Sequence, residues 1–141
     1  MNLISTFRQQ HDQIRQFATD ISVDLNNMQL AADATSVRQK LYNLLIRLKI
    51  HNSLENDALH VSLRQHENLQ IAGEASRLIG EAADISAEIE MYQTFWLQRD
   101  AIEQRPDDFI AQTLSLLTFL LDRISREDNN LYRKVELEVL N

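Results

Sequence analysis

His51 and Glu55 stand four residues apart in Ile50-His51-Asn52-Ser53-Leu54-Glu55, inside an otherwise apolar helical pattern. On a helix that spacing stacks both side chains on one face, so an imidazole and a carboxylate can share one metal ion without straining the backbone. A related stretch, Arg123-Ile124-Ser125-Arg126-Glu127, keeps the spacing but has an arginine where the histidine would be. His11 fills the gap of seven between Phe7 and Ile14 in an apolar stripe and should face inward with it. His11, His51, Glu55 and Glu127, with Asp128 as the alternative inward acid, form a set of nitrogens and oxygens suited to iron, manganese or zinc. Buried unpaired, such groups would cost roughly several kcal/mol each. A metal ion or the guanidinium of Arg123 should therefore accompany them.

Four amphipathic segments position these residues. The first, over roughly 2–28 by its 3.6-residue period, has the stripe Leu3, Phe7, His11, Ile14, Ala18, Ile21 and Leu25. Asp33 to Ser36 offer N-cap residues for the second, about 36–65, whose stripe is Val37, Leu41, Leu44, Leu48, His51, Glu55 and Ala58. His60 falls half a turn round from His51 and is expected at the surface; His66 falls near the helix end, and neither is taken as a ligand. The third, about 69–98, runs through Ile71, Ala75, Leu78, Ala82, Ile85, Ile89, Tyr92 and Trp96, the last two read as a core cap. Gly73 and Gly80 on it suggest a close approach by a neighbouring helix. Pro106, followed by Asp107 and Asp108, starts the fourth, with Ile110, Leu114, Leu117, Leu121, Ile124, Leu131 and Val135 inward and Leu116 and Leu120 widening the face. Arg123 lies at the edge of that face, free either to pair inside or to reach solvent.

Long helices with short connections give an all-α, up-down-up-down antiparallel four-helix bundle, one domain over residues 1–141. Two glycines and one proline agree with few turns. A net charge of −7 without a Lys/Arg cluster argues against nucleic acid and anionic membrane as partners. No signal peptide or spanning segment is read from the pattern, so a cytoplasmic protein is expected. The absence of cysteine excludes thiolate sites and thiol catalysis, and there is no phosphate loop or serine nucleophile with a base.

At this point the chain resembles the hemerythrin-like family of HHE cation-binding domains over most of its length. The likeness lies in Phe7-Arg8-Gln9-Gln10-His11-Asp12-Gln13-Ile14, in His51-x-x-x-Glu55 with Leu59 following, and in Arg123-x-x-x-Glu127 with Leu131 following. It implies a four-helix bundle with an oxo-bridged di-iron centre that carries or senses oxygen or handles nitric oxide and iron. Carried over, His11 and His51 are the histidines of one iron, with Glu55 and Glu127 as bridging carboxylates. For the other iron, Ala75 falls near the third-helix histidine and Arg123 replaces the fourth-helix one. Neither can donate a lone pair.

A di-iron centre is therefore not expected. Two outcomes fit: one iron or other divalent metal on His11, His51, Glu55 and Glu127, or a metal-free bundle with Arg123 paired to Glu55 or Glu127. The expected function is a non-enzymatic regulatory or protein-interaction protein, with Met91, Phe95 and Leu97 as candidates for a partner surface. The alternative is a mononuclear metal-binding protein that senses metal, oxygen or redox state.

Overall fold

Each of the four stripes forms a long helix. The computed structural model describes residues 3–26, 30 and 33–140, and all regular structure among them is helical. Helix α1 is Leu3–Leu25. Helix α2, Thr35–Glu55, passes through a π-helical turn, Asn56–His60, into a last α-turn, Val61–Leu63. Helix α3 is Leu69–Trp96, and a short α4, Ala101–Gln104, leads to α5. Helix α5, Pro106–Arg126, likewise passes through a π-helical turn, Glu127–Tyr132, and continues as Arg133–Leu140. The expected end of the first helix, Asn27 and Met28, lies outside the described residues.

Local chemistry sets the starts. Asp33 accepts a hydrogen bond from the Thr35 N–H at 2.9 Å, inside the stretch expected to cap α2. The Asn68 side chain accepts from the N–H groups of Gln70 and Ile71, satisfying donors that α3 leaves without a helical partner. Pro106 stands in the first turn of α5, with Asp107 and Asp108 at the positive end of the helix dipole.

Helix α1 packs on α2 and α5, α2 packs on α3, and α3 also lies against both π-turns. The buried stripe of α3 is the expected one apart from half-buried Ala82. On α1, Ile4 is buried instead of Leu3, which is 48% exposed. The face of α5 keeps Leu117, Leu120 and Ile124 buried as expected but is rotated elsewhere: Phe109, Thr113 and Arg123 are buried, while Leu114 is 45% exposed. Leucines at 114, 116, 117, 120 and 121 make a wide apolar arc, so periodicity leaves its rotation loose. Packing fixes it, through the Phe109 ring at 5.3 Å from that of Trp96 and the Thr113 hydroxyl at 2.5 Å from that of Tyr92. Gly73 and Gly80 serve no close approach: a Cβ at either would meet nothing within 4 Å.

Two apolar clusters form the interior. The larger runs from Ile14 and Leu48 to Trp96, Phe109 and Ile124; the smaller joins Ile4, Phe7, Leu59, Leu63, Ile71, Ala75, Leu78, Leu131 and Tyr132. Between them lies a polar layer, since His11 falls between Phe7 and Ile14, His51 between Leu48 and Leu59, and Glu127 between Ile124 and Leu131. Each large apolar side chain buried above and below contributes roughly 1.5–3 kcal/mol. That packing fixes the backbone on which the polar layer is mounted.

Candidate metal centre

The two π-turns decide which polar residues face one another. In an α-helix a residue five positions on lies about 140° round the axis. A π-turn, with its i→i+5 bonds, returns that residue to the original face. His60 is five residues after Glu55 and Tyr132 five after Glu127, and both are fully buried. The surface position expected for His60 is therefore wrong, and Ala58, expected inside, is exposed.

His11, His51 and Glu55 come together at the centre of the layer, none more than 3% exposed. His11 Nε2 is 3.0 Å from His51 Nε2 and 3.2 Å from Glu55 Oε2, and His51 Nε2 is 3.4 Å from the same oxygen. Three donors each about 2.1 Å from one ion stand ~3.0 Å apart at right angles and ~3.4 Å apart at the tetrahedral angle. The observed separations span that interval. The other ring nitrogens are held from outside: His11 Nδ1 lies 2.7 Å from Asp128 Oδ1 and His51 Nδ1 2.6 Å from Gln10 Oε1. Arg15 in turn pairs with Asp128 Oδ2 at 2.6 Å. A carboxylate or amide behind each imidazole would fix its tautomer and aim the opposite lone pair at the point where an ion would be held.

A second group forms on the other side of Glu55. His60 Nε2 is 3.2 Å from Glu127 Oε2 and 3.9 Å from Glu55 Oε1, and one ligand atom from each of the three lies within 4.8 Å of the others. Glu127, expected beside the two histidines, belongs here instead, and Asp128 supports His11 from behind. Tyr132 donates its hydroxyl hydrogen to Glu55 Oε2 and stacks on the His11 ring.

The model of the hemerythrin HHE cation-binding domain matches residues 2–135. The chain belongs to the hemerythrin HHE family. No curated protein and no solved structure matches it. As a hemerythrin HHE domain it carries the family's cation-binding fold, and its described His and Glu groups can hold a metal ion. Ala75, where the resemblance places a histidine, packs in the smaller apolar cluster.

Arg123 is buried, which settles its direction, but its main partner is neither expected carboxylate. Its Nη1 donates to Glu81 Oε2 at 2.9 Å and its Nη2 to the Leu78 carbonyl at 3.3 Å, both on α3. Glu127 is more distant, with 3.8 Å between Arg123 Nε and Oε1. Glu81 also pairs with Arg126 at 3.2 Å. The arginine thus ties α5 to α3 at the height where α3 supplies no ligand.

The electrostatics divide the layer. Burial opposes ionisation of Glu55, but hydrogen bonds from Glu127, His11 and His51 hold it well below the usual carboxylate range. Glu127 goes the other way: burial and then the neighbouring Glu55 push it well above, so it holds a proton shared with Glu55. Burial opposes the His11 cation too, yet Asp128 and Glu55 raise it. Burial brings His60 down to about 4, with Glu55 opposing and Arg123 reinforcing the shift. His60 is therefore neutral near pH 7, with a lone pair free for a ligand.

The family motifs did not point to His60, Tyr132 or Gln10. A signal for the first two was present: Leu59-His60 and Leu131-Tyr132 follow Glu55 and Glu127 at the same distance in the two matching stretches. Away from the layer, a cleft of about 650 Å³ beside Arg38, Tyr42 and Thr94 shares no residue with it.

Proposed function

We propose that this hemerythrin HHE protein is a non-enzymatic, metal-responsive regulator: an up-down-up-down antiparallel bundle that binds a transition-metal ion, iron first, through His11, His51 and Glu55. The observation that carries this reading is the convergence of three buried donor atoms at 3.0, 3.2 and 3.4 Å, with both histidines aimed from behind. Short connections between α1 and α2 and between α2 and α3 support the alternating order. Bound there, the ion supplies a positive charge that joins α1 to α2 at mid-height. His11 and His51 hold neutral imidazole toward it, Glu55 supplies the anionic oxygen, and Asp128 and Gln10 keep the rings from turning. The site residues are at most 3% exposed, which favours occupancy over turnover of a larger substrate.

An ion that binds only the folded form raises its stability. At a free ion concentration 100-fold above Kd the gain is about 2.7 kcal/mol, which for a chain of this size is roughly 5–11 °C in Tm. Thermal unfolding with and without ferrous iron under nitrogen measures it, and His51→Ala should abolish most of the shift. No shift at saturating iron, manganese or zinc would overturn the sensor. The protein-interaction reading would then stand alone, supported by Met91, 75% exposed, and Phe95, 39% exposed, one turn apart on α3. Leu97, also considered for that surface, is half-buried against the core.

A further inference from the structure

We propose that the chain holds a second divalent transition-metal ion on Glu55, His60 and Glu127, with His60 supplying the imidazole that neither Ala75 nor Arg123 can provide. This rests on the reading of the first trio as a metal site and extends it to a pair of ions bridged by Glu55.

The first ground is geometry. Glu55 turns its two oxygens to opposite sides: Oε2 toward His11 and His51, and Oε1 toward His60. One carboxylate is thus placed to serve both trios. His60 and Glu127 approach to 3.2 Å, within the separation of two ligands on one ion, while the 3.9 Å to Glu55 leaves a short inward adjustment. The second ground is a set of unsatisfied atoms. Both ring nitrogens of His60 and Oε2 of Glu127 are buried without a hydrogen-bond partner. Buried polar atoms are normally bonded, and an unsatisfied cluster of three in the middle of a core calls for a partner. A cation bound by His60 Nε2 and Glu127 Oε2 satisfies two of them at once.

Charge bears on it as well. The guanidinium of Arg123 is held chiefly by Glu81 and the Leu78 carbonyl, with Nε at a longer 3.8 Å from Glu127 Oε1, so most of its charge is answered on α3. Glu127 then faces this ion alone, and Glu55 is shared with the first. A cleft of about 470 Å³ between α2 and α3, lined in part by Asn52, Asn56, Ala82, Ser86 and Arg123, lies on the same side of the layer, and its Arg123 stands 3.8 Å from Glu127. The device that brings His60 inside is the π-turn, Asn56–His60, which moves a surface position of an α-helix onto the ligand face.

The test is a titration of the full chain with Co²⁺ alone, read by calorimetry and by elemental analysis after gel filtration. Wild type should take two ions and His60→Phe one, with the second ion weakened at least tenfold in the variant. His51→Ala should weaken the other ion and spare the one on His60. One ion in wild type, lost in His51→Ala and kept in His60→Phe, would overturn this proposal while leaving the first site standing. No ion in wild type would overturn both. Two ions retained by folded His60→Phe would also overturn it. Should His60→Phe fail to fold, ¹⁵N shifts of the imidazoles in wild type titrated with Zn²⁺ answer the same question. His60 Nε2 must then move to the metal-bound range at the second equivalent; a His60 signal unmoved at saturation would overturn the assignment.

Discussion

His11 and His51 turn their Nε2 atoms toward Glu55 while Asp128 and Gln10 hold both Nδ1 atoms; His60 meets the other oxygen of Glu55 with neither nitrogen bonded. The first trio is aimed before any ion arrives. The second is placed by the helix bulge alone. Removing the groups that orient metal-bound histidines typically costs 10–100-fold in affinity, so the two sites should differ by about that factor, the His11–His51 side being tighter. What differs is the material behind the ligands, since both trios draw on the same carboxylate and the same buried layer. Arg123 adds to the contrast, because it stands only on the His60 side.

The largest test removes the shared element. Glu55→Gln should abolish the stabilisation by iron at both trios, because the amide has no anionic oxygen to give either. Metal content and the iron-dependent Tm shift measure it; an ion retained with wild-type affinity would show that the trios do not share Glu55. A smaller effect is expected for Arg123→Leu. Breaking a fully buried ion pair costs roughly 3–5 kcal/mol. Glu81 is 30% exposed and keeps Arg126, so the loss here should be nearer 2 kcal/mol by denaturant unfolding of the metal-free protein. The same variant should tighten the ion on the His60 side and leave the other unchanged. A loss below ~0.5 kcal/mol would mean that the arginine behaves as a surface residue.

The smallest effect concerns Glu81 itself. Burial raises its pKa, but Arg126 and Arg123 together outweigh that and hold it below the usual 4.5. A depressed carboxylate contributes stability that is present above its unfolded value and lost as pH falls through its folded one. Glu81→Gln should therefore flatten the acid limb of the stability profile below about pH 4.5, by less than ~1 kcal/mol for so exposed a group. An unchanged limb would mean that the α3 side of the layer is electrostatically idle.

Much of the site could be read from residue types and spacing. His11, His51 and Glu55 lie where a 3.6-residue period puts them, because α1 and the first part of α2 are regular to that point. Past Glu55 the period fails: His60 and Leu59 are buried and Ala58 is not, and Glu127 joins His60 instead of His11. No single-helix pattern announces a π-turn, since the bulge is stabilised by what it buries from other helices. Arg123 shows the same limit. Its place at the edge of a face left two directions open, and the choice was made by Glu81, a residue of α3 forty-two positions away.

By itself the sequence determined four apolar stripes, the start signals of the second and fourth, the all-helical class and the inward turn of His11, His51 and Glu55. These follow from local rules, because the period of the backbone and the chemistry of helix ends act within a few residues. Tertiary structure alone decided the rotation of α5, the burial of His60 and Tyr132, the partner of Arg123 and the division of the acids between two trios. Each depends on contacts between residues far apart in the chain, where the large apolar groups fix the helix faces and the polar groups take whichever buried partners remain.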